Sequence, residues 1–240
     1  MPGPGNQAAA AITRAPGRPG ARLACQVTGG GPAVVLVHGF GLDMRMWERQ
    51  TEHLAARYQV IRYDCRGFGS SGPFDPAAAC AHAGDLLALL DHLGVGQAVP
   101  GGLSSGGRTA RLAHPLFAAA RGRPEVSKEL AAMVAAYPGQ RCIGHDPHEQ
   151  AGPRPADVLE KLAMPVLVMA GEHDVPGFRE MSAALARRIP GARYHVVAGA
   201  GHMVTMERAA AVSEVLTRFP GELPPLAAAQ SGPGEARWSR

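Results

Sequence analysis

Apolar positions along the chain follow two periods, and the two periods alternate. Residues 33–37, Ala33-Val34-Val35-Leu36-Val37, form an uninterrupted β-branched run, which predicts a parallel strand covered on both faces. Shorter runs predict further strands at 22–27, 60–63, 97–101, 165–170 and 194–197. Helical spacing appears between them. Asp43 is placed to cap a helix reaching Arg57, with Trp47, Gln50, Thr51 and Leu54 on one side. Asp75-Pro76 has the cap-plus-proline start of a second helix, which carries Ala83, Leu86, Leu87, Leu90 and Leu93 and stops at Gly94. Helices are also predicted over 108–120 and 125–136, along the stripe Phe178, Met181, Leu185 and Ile189, and along Val212, Val215, Leu216 and Phe219. Strand and helix in alternation predict an α/β fold with a doubly wound, mostly parallel sheet.

Composition sets the limits of this picture. A chain of 240 residues suits one α/β domain, read as 21–219. Pro/Gly/Ala-rich stretches at 1–20 and 220–240 are expected to be a flexible arm and tail. A net charge of +4 is small, and the only lysines are Lys128 and Lys161. No basic run exists to support nucleic-acid or membrane binding. Cysteines at 25, 65, 80 and 142 have neither metal-ligand spacing nor a compact framework, so free thiols in a reducing compartment are expected. The longest apolar run near the N-terminus is 8–12, too short for a signal-peptide core, and a cytoplasmic protein is expected.

The chemistry centres on Gly102-Leu103-Ser104-Ser105-Gly106. A serine hydroxyl attacks a carbonyl only when it is held clear of its neighbours, beside a base and near donors for the oxyanion. A tight strand-to-helix turn does this, with small residues two before and two after the serine. Taken alone, the pattern equally fits a Gly/Ser turn. Three other loops follow predicted strands: His38-Gly39-Phe40-Gly41, Asp64-Cys65-Arg66-Gly67-Phe68-Gly69-Ser70-Ser71, and Gly171-Glu172-His173-Asp174 with Gly201-His202.

With these landmarks in this order, the sequence resembles the α/β-hydrolase superfamily, in its esterase, lactonase and haloperoxidase-like branch. The resemblance covers 22–108 and 155–219. It implies that Ser104 is the nucleophile, His202 the general base and then acid, and Asp174 the carboxylate that orients the imidazolium. It implies an oxyanion hole from the backbone N–H groups of Phe40 and Ser105. The substrate would be a small ester or lactone, cleaved through an acyl-serine with no cofactor and no metal. Hydrolysis of C–C bonds shares the same triad and stays open, as does a non-catalytic binding protein. Asp174 also fits a helix cap ahead of Pro176. His38, Asp64 and Arg66 read as loop-shaping residues, Glu172 and His173 as exposed strand-end residues, and His145-Asp146-Pro147-His148-Glu149 as a solvated loop.

Two departures from the family stand out. The strand feeding the elbow contains Pro100 and Gly101, where relatives carry a β-branched or leucine-rich run. No β-rich run occurs between Arg108 and Met164, where relatives place a core strand and then a helical cap. Residues 108–155 therefore read as a reduced cap and crossover. The sheet is expected to close up, with 97–101 and 165–170 as direct parallel neighbours.

Overall fold

The computed structural model describes residues 11–17, 21–72, 82–103, 118–136, 159–162 and 164–221. Seven strands are present among them: β1 (Thr13–Pro16), β2 (Arg22–Thr28), β3 (Ala33–Val37), β4 (Gln59–Tyr63), β5 (Ala98–Gly102), β6 (Leu167–Gly171) and β7 (Arg193–Val197). The helices are α1 (Glu48–Leu54), α2 (His82–His92), α3 (Ala118–Arg121), α4 (Pro124–Ala136), α5 (Pro176–Arg188), α6 (Val204–Glu207) and α7 (Ala209–Gly221). The predicted Asp75-Pro76 helix start, the stretch 108–117, and the His145 to Glu149 group lie outside the described residues.

β3 behaves as its composition requires. It pairs in parallel with β4 on one side and β5 on the other. Its side chains alternate between two cores, because successive Cβ atoms point to opposite faces of a strand. Val34 and Leu36 pack with Trp47, Leu54, Val60 and Met206 on one face. Val35 packs with Leu23, Ile61, Tyr63 and Leu89 on the other. Helices thus cover both faces, as a doubly wound sheet demands. Asp43 does cap, accepting from the Arg45 N–H at 3.0 Å, but the first turn is 3-10 and the α-helix ends at Leu54.

Two expectations fail. Residues 13–16, assigned to the loose arm, form strand β1, antiparallel to β2 at the sheet margin. The sheet also does not close up. β1-β2-β4-β3-β5 forms one sheet and β6-β7 a second, and no pairing joins β5 to β6 among the described residues. Pro100 explains part of this. The Leu103 N–H donates to the Val37 carbonyl on the β3 side. Backbone direction alternates along a strand, so the position that Pro100 leaves without a donor is on the outer edge. Proline is tolerated at such a margin and disfavoured inside a sheet.

The stripe predicted along α5 is only partly covered: no residue of the helix is fully buried, and Met181 is 49% exposed.

Candidate active site

Four strand ends supply the candidate residues. At the end of β3, His38 is buried and bonded through both ring nitrogens. Its Nδ1 lies 2.8 Å from the Gly39 carbonyl, and its Nε2 lies 2.9 Å from the Cys65 N. The Cys65 N–H can only donate, so Nε2 accepts, Nδ1 carries the proton, and the ring is neutral. Burial pushes the His38 pKa down, since the charged form is poorly solvated there. Asp64 at the end of β4 accepts from the Met44 N–H at 2.8 Å and the Ser70 N–H at 2.7 Å. Burial raises its pKa, although those two bonds act the other way. Gly69, at φ +49, passes so near the Asp64 carboxylate that a Cβ would collide with it. Arg66 meets Asp85 in a buried two-pronged pair at 2.7 and 3.0 Å. His38, Asp64 and Arg66 therefore brace loops, as the sequence suggested.

Asp174 and His202 are 28 residues apart in the chain and meet in space. His202 Nδ1 lies 2.9 Å from Asp174 Oδ2 and 3.1 Å from Oδ1, with both side chains almost fully buried. The backbone explains the meeting. The His173 N–H donates to the Ala200 carbonyl at 2.7 Å, and the Glu172 N–H to the Val197 carbonyl at 3.0 Å. A Cβ at residue 171 would overlap the carbonyls of Ala200 and Gly201, so only glycine permits this approach. Asp174 also accepts from the Val175 N–H at 2.7 Å, and the Phe178 ring lies 4.6 Å from that of His202. Asp174 is not the cap of α5, whose N-cap is Val175 without a side-chain bond; its carboxylate is turned to the His202 ring instead. Glu172 and His173 are exposed, as expected.

Glu207 was missed by sequence reasoning. Its carboxylate is buried and accepts from the N–H groups on both sides of His202, Gly201 at 2.5 Å and Met203 at 3.2 Å. Arg123, just ahead of α4, reaches Glu207 at 3.4 Å and the Gly199 carbonyl at 2.8 Å, tying the reduced cap to the histidine loop. The signal was an acid five residues past His202, beside Val204 and Met206. Glu207→Ala strands two buried donors and is expected to cost about 2–4 kcal/mol. A urea-denaturation midpoint matching that of the unmodified protein would refute this.

Ser104 and Ser105 lie outside the described residues. The chain leading to them is described. Val37 is paired with Gly102, so β3, which precedes Phe40, and β5, which precedes Ser104 in the sequence, end side by side. Phe40 itself rests edge-on against Phe68, with ring centroids 5.6 Å apart. Among the described residues no group of three His, Cys, Asp or Glu side chains could hold a metal ion, and no helix is long and apolar enough to cross a membrane.

A mixed sheet with helices on both faces, and an Asp–His pair at the ends of the neighbouring parallel pair β6 and β7, is the arrangement of an α/β fold of the hydrolase type. The family model of the alpha/beta hydrolase fold matches residues 32–138. Over 88% of the chain and 98% of its own, a thermophilic esterase from Thermogutta terrifontis superposes with a TM-score of 0.75 at 29% identity. The enol-lactonase from Burkholderia xenovorans LB400 gives a TM-score of 0.68 at 25% identity, covering 88% of this chain and 100% of that one. In sequence, 3-oxoadipate enol-lactonase 2 of Acinetobacter baylyi is 40% identical over 81 residues, covering 33% of this chain and 30% of that enzyme. The match thus spans less than a third of that curated relative. The chain is thus similar over most of its length to proteins of the α/β-hydrolase fold, and the family model covers residues 32–138.

Proposed function

We propose that the protein is a serine hydrolase of small carboxylic esters or lactones, working through an acyl-serine at Ser104. The observation that carries this reading is the Asp174–His202 pair, with His202 Nδ1 held 2.9 Å from Asp174 Oδ2. An imidazole bonded at Nδ1 to a carboxylate keeps Nε2 free to take a proton from a nucleophile, and the carboxylate stabilises the imidazolium that results. Ser104 attacks the carbonyl. Backbone N–H groups of Ser105 and Phe40 receive the oxyanion. His202 protonates the leaving alcohol and then activates the water that releases the acid. The esterase and enol-lactonase similarities favour an ester or lactone as the substrate, with no cofactor. A serine at the elbow favours acyl transfer over the epoxide and haloalkane chemistry of carboxylate-bearing relatives.

The lack of pairing between β5 and β6 favours a second reading, a binding protein of the same fold with an unaligned serine. A fluorophosphonate probe separates the two. The hydrolase reading expects stoichiometric labelling at Ser104, located by peptide mass spectrometry and blocked by prior ester. An unlabelled, folded protein would transfer the assignment to the binding reading.

A further inference from the structure

The candidate triad is divided between two sheets. Ser104 follows β5 of the five-stranded sheet in the sequence, whereas Asp174 and His202 follow β6 and β7. Among the described residues no strand pairing joins the two sheets, so a β-ladder does not set where the Asp–His pair sits relative to the elbow. A nucleophile and its base work at about 2.6–3.2 Å, so other contacts must hold the sheets in register.

The segment 118–136 has contacts of this kind on both sides. Toward the five-stranded sheet, Ala120, Val126, Leu130 and Met133 share a buried cluster with Val34 and Leu36 of β3. Glu129 on α4 also meets Arg49 on α1 at 2.8 Å. Toward the second sheet, Ala119 lies so near Gly201 that a Cβ at residue 201 would overlap it. Arg123 Nη2 donates to the Gly199 carbonyl at 2.8 Å. Its Nη1 donates to the Ala119 carbonyl at 3.1 Å and to the Glu207 carboxylate at 3.4 Å. Glu207 in turn accepts from the N–H groups on both sides of His202. One guanidinium thus joins α3 to the start of the histidine loop and to its brace, and the planar fork fixes the directions of these bonds. A second tie, from Gln50 on α1 to the Thr205 carbonyl at 2.8 Å, reaches the chain past the ring.

We propose that Arg123 is a positioning residue for the candidate triad. It clamps the His202 loop to the five-stranded sheet, in place of the pairing that β5 and β6 lack, and so sets the reach of the imidazole to Ser104. The assignment rests on the hydrolase reading above, and one of its two readouts needs no activity.

Arg123→Ala should lower kcat for p-nitrophenyl butyrate about 100-fold with KM unchanged, the scale of a displacement of about 1 Å caused away from the chemistry. Deuterium exchange at the amides of 199–208 should quicken, because the loop loses its donor. Arg123→Lys returns the charge beside Glu207 but offers one nitrogen for three acceptors, so part of kcat should recover; it serves as the test variant should the alanine protein not fold. Leu89→Ala opens a cavity in the core on the opposite face of the sheet. It should lower the urea midpoint and keep kcat, which separates positioning from general instability. Unchanged kcat in a folded Arg123→Ala protein, unchanged exchange at 199–208, or an equal kcat loss in Leu89→Ala overturns the assignment. An unmodified protein without esterase activity, whose Arg123 variant still exchanges faster at 199–208, sinks the hydrolase reading and keeps the clamp.

Discussion

Ser104→Ala is expected to abolish hydrolysis of p-nitrophenyl esters, with kcat falling by roughly 10⁴- to 10⁶-fold, the scale seen when a triad nucleophile is removed. Ser105→Ala should keep most of the activity. The neighbour contributes a backbone N–H to the oxyanion, and alanine retains that group. The two variants differ by one position in the same glycine-rich turn, so a general disturbance of the loop would affect them alike. Only a specific nucleophile separates them. Equal loss in both, or full activity in the Ser104 variant, would refute the assignment. Initial rates with p-nitrophenyl butyrate, alongside circular dichroism to confirm folding, give the answer.

Asp174→Asn should lower kcat by about 10⁴-fold, because an amide can present its NH₂ to His202 and hold the ring in the wrong tautomer. The change is nearly isosteric, so stability should alter little. His202→Ala should be at least as damaging. His38→Ala makes the contrasting control. Both of its ring nitrogens are committed to backbone groups of Gly39 and Cys65, which leaves none for proton transfer. Its loss should cost about 2–3 kcal/mol of stability through stranded buried bonds, with turnover largely kept. An Asp174→Asn protein as fast as the unmodified one would mean that the pair is structural. A folded but inactive His38 variant would mean that the histidines have been assigned the wrong way round. Urea midpoints and ester hydrolysis on the same preparations distinguish these results.

Local chemistry made much of the fold readable. The run from Ala33 to Val37 could only be a strand buried on both faces, and its side chains do divide between two cores. The leucines of α2 and the glycine stop at Gly94 were legible because helical spacing and a left-handed cap, here φ +68, are properties of neighbouring residues. The site residues Asp174 and His202 were legible as types at strand ends. That they meet depends on Gly171 letting two loops touch, which no local pattern displays.

The sequence by itself determined the strands from β2 to β7 and the stripes of the longer described helices, and which polar residues stand at the strand ends. Tertiary structure alone decided the rest. β1 is four residues without strong periodicity, and it exists because β2 offers an unpaired edge. Glu207 becomes a brace only when the chain folds back around His202. The gap between β5 and β6 was visible in the sequence as a missing run, yet closing the gap and leaving it open read identically there. Strand pairing is a contest among distant edges, settled by which backbones can reach each other. With the Pro100 position lacking a donor on the outer edge of β5, the described residues leave β5 and β6 unpaired.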